Sequence, residues 1–476
     1  MKKIKFGTSG WRDIIADNFT FENVRLVAQA VANYIKDKHL EDQGVIVGYD
    51  TRFLAEDFAK EVASVMGANG IKVYLCNRDT PTPVIAYDIV KNKRAGGINI
   101  TASHNPPKYA GFKFSPEWGG PALPETTRWI EARIEELRKS DKERCKYQEL
   151  SSLLKSGIVE FFDPKPQYFE HIADIIDFKI IKESGLKILY NPMHGTGREY
   201  LDALLKEFDI EVKTINSNLD PLFDGRAPDP SEENLRETVK ILKKEKFDLA
   251  LATDGDADRF GILDKSGEYI KPNFIIALVY DYIYTEKNIK GGVARSVATS
   301  HIVDAVARLH KQKAYETPVG FKYLGDILLR GNVAVIGEES AGLSIKGHIP
   351  EKDGILADLL VAEMVARRGK TLKEQIEDLF QKVGRFYTER INFPIKDEKM
   401  KEKLMDFLNT NIKKFAGRNV VKMIRIDGSK LIFEDGSWVL FRPSGTEPVV
   451  RFYVEAHSEE DLRELIDAGE RLIKYG

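Results

Sequence analysis

Two cysteines in 476 residues, Cys76 and Cys145, are too few for a disulfide framework or a thiolate metal site, and they suit a reducing compartment. No apolar run approaches the roughly 20 residues that a spanning helix needs. The N-terminus, Met1-Lys2-Lys3-Ile4-Lys5-Phe6, turns polar within a few residues, so a cytoplasmic protein outside the membrane is expected. Charge of one sign is not in excess either: 72 Lys and Arg face 74 Asp and Glu. That balance argues against nucleic acid or an anionic membrane as partner, and any phosphate recognition must be local. Low-complexity segments are also missing. With 42% hydrophobic and 31% charged residues, the chain is long enough for roughly three or four domains.

One local pattern of strand, loop, amphipathic helix and strand occurs three times, over Gly44 to Cys76, Lys187 to Asn216 and Gly292 to Thr317. In the first, the apolar run Val45 to Tyr49 precedes a helix from about Ala55 whose Phe58, Val62, Val65 and Met66 share one face. A charged helical stretch runs from Glu125 to Lys155, and Asp163-Pro164-Lys165-Pro166 reads as a linker. From about Phe386 the pattern gives way to five short strands with helices at Glu398 to Lys414 and Glu459 to Tyr475, a smaller α+β domain with an antiparallel sheet. The expected domains are 1–155, 156–265, 266–384 and 385–476.

Five loops carry residues capable of chemistry. Thr101-Ala102-Ser103-His104-Asn105-Pro106-Pro107 puts a serine beside an imidazole, and its prolines stop any regular element. It reads as a nucleophile on a rigid, exposed loop tip, or as an ordinary Ser/Asn/Pro turn. Asp254-Gly255-Asp256-Ala257-Asp258-Arg259 follows an apolar strand. If extended, it projects three carboxylates to one side, where a hard cation such as Mg²⁺ relieves their repulsion. A calcium loop of the EF-hand type is disfavoured, because Arg259 and Lys265 stand where Gly and Glu belong; a solvated acidic turn is the alternative.

Arg442-Pro443-Ser444-Gly445-Thr446-Glu447-Pro448 joins a guanidinium, two hydroxyls and a glycine between two strands, a set that can wrap an anion or make a plain hairpin turn. Gly337-Glu338-Glu339-Ser340-Ala341-Gly342 offers carboxylate and hydroxyl partners for a polyol, and Gly7-Thr8-Ser9-Gly10-Trp11-Arg12 offers hydroxyls, an aromatic and a cation. Taken alone, each of these two reads equally as a solvated turn. Lys113, Lys322 and Lys352 are cations near glycine in loops, where a lysine is ordinarily a solvated charge.

In this order the motifs resemble the α-D-phosphohexomutase superfamily, the phosphoglucomutases and phosphomannomutases, over nearly the whole chain. The resemblance implies three similar mixed-sheet α/β units and a C-terminal TATA-binding-protein-like α+β domain around a central cleft. It makes Ser103 the phosphorylated residue, with Asp254, Asp256, Asp258 and a phosphoserine oxygen holding one Mg²⁺. Arg259 would lie beside the reacting phosphate, while Glu338 and Ser340 grip sugar hydroxyls and Gly320 lies in a sugar-contact loop. Arg442, Ser444, Gly445 and Thr446 would bind the other phosphate. Arg12, His104, Lys113 and Lys352 match positions lining the cleft, and which of them moves the proton is open.

The implied reaction interconverts hexose 1-phosphate and hexose 6-phosphate, with glucose 1,6-bisphosphate as intermediate and activator. The C-terminal domain would rotate shut on a linker near residue 385. Gly342 stands where dual-specificity enzymes carry His, and Glu339 stands where the glucosamine branch prefers Gln. Val319 departs from the Thr of many glucose enzymes. Glucose phosphate is favoured and mannose phosphate admitted. A phosphomonoesterase using the same serine, or a non-catalytic phosphosugar sensor, is the rival reading. The sequence leaves monomer or dimer open.

Overall fold

The computed structural model describes residues 2–139, 145–395, 398–443 and 449–475, and four sheets organise them. The first has the order Trp11–Ile14, Tyr109–Pro116, Gly96–Ile100, Val45–Tyr49, Val73–Cys76, Val159–Phe162. The second runs Phe260–Asp264, Leu249–Thr253, Ile188–Asn191, Val212–Thr214, and the third Ala314–Thr317, Gly292–Ser296, Val333–Glu338, Gly342–Ile345. Each of the three repeats is a parallel crossover around a helix: Val45–Tyr49 with Val73–Cys76, Ile188–Asn191 with Val212–Thr214, and Gly292–Ser296 with Ala314–Thr317. Antiparallel partners at one side make all three sheets mixed. The fourth sheet is antiparallel throughout, and the helices Glu398–Asn409 and Glu459–Tyr475 bring Leu404, Leu408, Leu465 and Ile473 into its core.

A common plan places the motifs. In each sheet one strand is followed at once by an antiparallel neighbour, and one of the sequence motifs lies between the two. Gly96–Ile100 and Tyr109–Pro116 flank the Ser103 loop, and Leu249–Thr253 and Phe260–Asp264 flank the aspartates. Val333–Glu338 and Gly342–Ile345 flank Glu339 to Ala341, and Trp438–Pro443 pairs with Val449–Ala456 across residues 444–448.

Several expectations need correction. The helical stretch from Glu125 is interrupted, with helices at Pro124–Lys139 and Leu150–Lys155. The first sheet extends past residue 155, because Val159–Phe162 pairs in parallel with Val73–Cys76. Asp163 to Pro166 is not a linker: the helix Lys165–Ile175 begins there with Pro164 at its cap and Pro166 in its first turn, where a missing N–H costs nothing. The helix from Glu398 stops at Asn409, and Lys414–Phe415 is a short strand.

The second and third units share one core. Helix Gly354–Arg368 is apolar nearly all round, and its Leu356, Leu359, Leu360, Val361 and Met364 are fully buried in a cluster holding Tyr190, Leu251 and Ile262 of one sheet and Val293, Val335 and Leu343 of the other. Each such side chain contributes about 1.5–3 kcal/mol. The fourth unit docks on the third through Trp438, Leu440 and Tyr453, which pack on Val297 and Ala298. Trp438 Nε1 donates to Glu455 at 2.7 Å, and the same carboxylate accepts from the backbone N–H of His301 at 3.1 Å. Gly384, at φ +89°, ends the helix Leu372–Val383 ahead of this unit. Among the described residues no helix is long and apolar enough to cross a membrane.

Candidate active site

Ser103 has φ +53°, a left-handed conformation rare for a residue with a side chain, and its loop is held there from both ends. Its N–H donates to Thr101 Oγ1 at 2.9 Å. From below, the Arg52 guanidinium donates to the carbonyls of Ser103 (2.6 Å), Asn105 (2.6 Å), Pro106 (2.9 Å) and Tyr109 (3.1 Å), and to Asp50 Oδ2 (3.0 Å). The Arg52 and Asp50 side chains have no exposed surface, and burial pushes the Asp50 carboxyl up to about 6 despite its partner. Replacing Arg52 by Met should therefore cost about 3–5 kcal/mol, since it strands a buried carboxylate and four carbonyls. A comparison of urea and thermal midpoints with wild type checks this.

The serine is buried, 1% exposed, rather than at an exposed tip. The aspartate turn covers it: a Cβ on Gly255 would lie 2.7 Å from the Ser103 carbonyl oxygen. That turn is not an extended segment either. Ala257 at φ +56° folds it back, and this reversal, rather than strand alternation, brings carboxylate oxygens of Asp254, Asp256 and Asp258 within 4.8 Å of one another.

Asp254 accepts from Ser103 Oγ at 2.7 Å through Oδ2 and from the Arg259 N–H at 3.0 Å through Oδ1. Asp256 Oδ2 accepts from Lys113 Nζ at 2.5 Å and from the Thr82 hydroxyl. Asp258 Oδ2 accepts from Lys113 at 2.7 Å and faces Lys352 Nζ at 3.3 Å. The second oxygens, Oδ1 of Asp256 and Oδ1 of Asp258, are buried without a partner among the described residues. Burial, then repulsion from Asp256 and Asp258, raises the Asp254 carboxyl well above its usual range. Burial alone would raise Asp258 too, but Lys113 and Lys352 outweigh it and hold that group low. Hard oxygen donors, two of them orphaned, fit a small divalent cation.

Other predicted residues gather at the same place. His104 Nδ1 lies 3.3 Å from Ser103 Oγ, and burial, then Arg259 and Arg12, keeps its imidazole neutral. Arg12, on the strand Trp11–Ile14, donates to Asn105 Oδ1 at 2.6 Å. Lys113 is on the strand Tyr109–Pro116 rather than in a loop, and Lys322 is in the helix Phe321–Leu329. The Arg259 guanidinium is 3.6 Å from Asp229.

Glu338 ends its strand buried, its carboxyl raised by burial against the pull of Lys352, with Oε2 unpartnered among the described residues. Ser340, half-buried, lies beside that carboxyl and pulls it back down. A Cβ at Gly342 would lie 2.5 Å from Lys352 Cδ, so the absence of a side chain gives the lysine stem its path to Asp258. Gly320, at φ +129°, sits with its α-carbon face 3.1 Å from Thr8 Cγ2, measured from where a Cβ would stand. Arg442 Nε donates to Asp427 at 2.8 Å, and the same oxygen accepts from Val319 N–H at 3.1 Å, tying the fourth unit to the Gly320 loop. Ser444, Gly445 and Thr446 lie outside the described residues.

Sequence reasoning missed Arg52, Thr82 and Glu351, the last a buried carboxylate that accepts from Lys352 Nζ at 3.2 Å. Arg52 leaves one trace, an Asp-x-Arg step directly after an apolar strand.

The chain matches the family models of all four phosphoglucomutase/phosphomannomutase domains: α/β/α domain I over residues 3–141, II over 166–267, III over 271–383 and the C-terminal domain over 391–470. It is 33% identical over 470 residues to a phosphoglucomutase/phosphomannomutase of Thermococcus kodakarensis, with 98% of each chain covered. A candidate phosphoglucosamine mutase of Pyrococcus abyssi is 32% identical over 471 residues, 98% of this chain and 97% of its own. The crystal structure of a candidate phosphomannomutase from Thermus thermophilus superposes with a TM-score of 0.85 at 32% identity, covering 99% of both chains. With four domains matched in order and full-length relatives at this identity, the chain belongs to the phosphoglucomutase/phosphomannomutase family of phosphotransferase mutases.

Proposed function

We propose that this cytoplasmic enzyme interconverts hexose 1-phosphate and hexose 6-phosphate, with glucose preferred and mannose accepted. Ser103 carries the phosphoryl group, and a 1,6-bisphosphate is the intermediate. The observation that supports this best is Ser103 Oγ at 2.7 Å from Asp254, inside a buried nest of three carboxylates and their cations. Asp254, Asp256, Asp258 and a phosphoserine oxygen would hold Mg²⁺, which when bound offsets charge on the group in transfer.

The chain's own groups account for the rest. A sugar hydroxyl attacks phosphorus, the bond to Ser103 Oγ breaks, and the proton lost by the sugar is matched by one gained at the serine. After the bisphosphate turns over, Ser103 attacks the other phosphate, and its proton passes back to the released sugar oxygen. His104, kept neutral and 3.3 Å from Ser103 Oγ, is placed to accept that serine proton. Lys113, Lys352 and Arg259 surround the point of transfer and balance its charge. Glu338 and Ser340 orient sugar hydroxyls, the Gly320 loop closes over the ring, and Arg442 with Ser444, Gly445 and Thr446 holds whichever phosphate is idle. Exclusion of water keeps the phosphoserine from hydrolysis, and the near-complete burial of Ser103 serves that need.

The Glu339 carboxylate accepts from Ser296 Oγ at 2.9 Å, and the glucose reading rests on a Glu here where the glucosamine branch prefers Gln. Glucose 1-phosphate with Mg²⁺ and a trace of the 1,6-bisphosphate should yield glucose 6-phosphate with little inorganic phosphate, whereas a phosphomonoesterase releases phosphate at the rate of turnover. Rates on glucose, mannose and glucosamine 1-phosphates, compared side by side, should fall in that order.

A further inference from the structure

Asp256 comes from the second unit, yet the group that fixes its carboxylate is a hydroxyl from the first. Thr82, 4% exposed, opens the helix Thr82–Asn92. Its backbone N–H donates to the Asp256 carbonyl at 3.0 Å, and its hydroxyl bonds Asp256 Oδ2. Asn99, 3% exposed, donates from Nδ2 into Thr82 Oγ1 at 2.9 Å. The hydroxyl has one proton, and with its oxygen receiving the Asn99 amide that proton points at Asp256. Asn99 belongs to Gly96–Ile100, the strand that leads directly into the Ser103 loop. One polar chain therefore runs from the serine-bearing strand through Thr82 to the aspartate turn.

The consequence concerns which oxygen is left over. Lys113 and Thr82 both occupy Oδ2 of Asp256, while Oδ1 is buried and has no partner among the described residues. We propose that Thr82 is a positioning residue for the divalent cation: by anchoring Oδ2, it presents Oδ1 of Asp256 to the ion and registers the aspartate turn against the serine strand. This rests on the Mg²⁺ reading above, and it adds a residue that contacts neither ion nor sugar. Partners of this kind fix the orientation of a ligand, and losing one lowers metal affinity about 10- to 100-fold.

The test uses the full-length protein, with phosphoryl occupancy matched by intact mass, and Mn²⁺ alone as the probe, its free fraction read by electron paramagnetic resonance. Thr82→Val keeps the shape and removes the hydroxyl, and should weaken Mn²⁺ binding about 10- to 100-fold, while Thr82→Ser should stay within about threefold of wild type. Asn99→Ala, which frees the hydroxyl to turn, should give a smaller loss, and it serves in place of Thr82→Val should that variant not fold. Wild-type Mn²⁺ affinity in Thr82→Val, or equal losses in the Ser and Val variants, would overturn the inference; so would unchanged affinity in Asn99→Ala. Asp256→Asn is measured alongside: if it too binds Mn²⁺ like wild type, the cation site itself is wrong and the role of Thr82 falls with it.

Discussion

Replacing Ser103 by Ala should lower turnover by about 10⁴-fold or more, as removal of a nucleophile does elsewhere. It should also abolish the phosphoryl mass increment that wild type acquires from a 1,6-bisphosphate. The fold is expected to survive, which makes the result a chemical one. Arg52 holds the loop through main-chain oxygens of Ser103, Asn105, Pro106 and Tyr109, and Thr101 holds the Ser103 N–H, so every anchor persists in the alanine variant. Only the bond from Oγ to Asp254 and the approach to His104 are lost. Melting temperature and sugar-phosphate binding should stay near wild type while kcat collapses. Full turnover in this variant would falsify the phosphoserine mechanism.

Asp256→Asn should produce the second-largest effect, a fall in kcat of about 10²-fold or more, with a much smaller change in KM for the sugar phosphate. The substitution removes a charge from the carboxylate nest, and with the amide oxygen held by Lys113 and Thr82, both of which donate there, an NH2 donor replaces the acceptor that faces the cation site. Glu338, Ser340 and Arg442, the groups proposed to face the sugar phosphate, belong to other units and are not bonded to Asp256, so ground-state binding should change little. Titration of Mg²⁺ should recover part of the rate at high concentration, and removal of the metal from wild type by chelation should reproduce the loss reversibly. A variant in which kcat and substrate affinity fall together would point to a collapsed cleft instead of a weakened cation site.

Local information reached the sequence reading intact and long-range information did not. The three crossovers were legible because strands of apolar residues and one-sided helices, such as the face of Phe58, Val62, Val65 and Met66, are written within about 30 residues. Four of the motifs were legible because each lies between two strands consecutive in the chain. Thr82 was not, since its partner is 174 residues away, and nothing in Thr80-Pro81-Thr82-Pro83 distinguishes a hydroxyl aimed at a carboxylate from one in water. Lys113 reads as a loop cation from its glycine neighbour, yet pairing of Tyr109–Pro116 with Gly96–Ile100 makes it a strand residue aimed at the aspartates. The burial of Ser103 depends on a second unit closing over it, which no window of sequence contains. The same holds for the convergence of the aspartates, which needs the reversed backbone at Ala257.

Helix Gly354–Arg368 wedges between two sheets that the sequence presents as separate modules, and its N-terminus reaches back to the aspartate turn, where Gly354 N–H donates to the Ala257 carbonyl at 3.1 Å. The second module therefore cannot finish folding until chain from the third has been made, because the backstop of its aspartate turn is Gly354 of the third. A threefold repeat in the chain has become a single mechanical body across its middle. The packing of the third unit and the position of the aspartate turn are thereby fixed by the same strut.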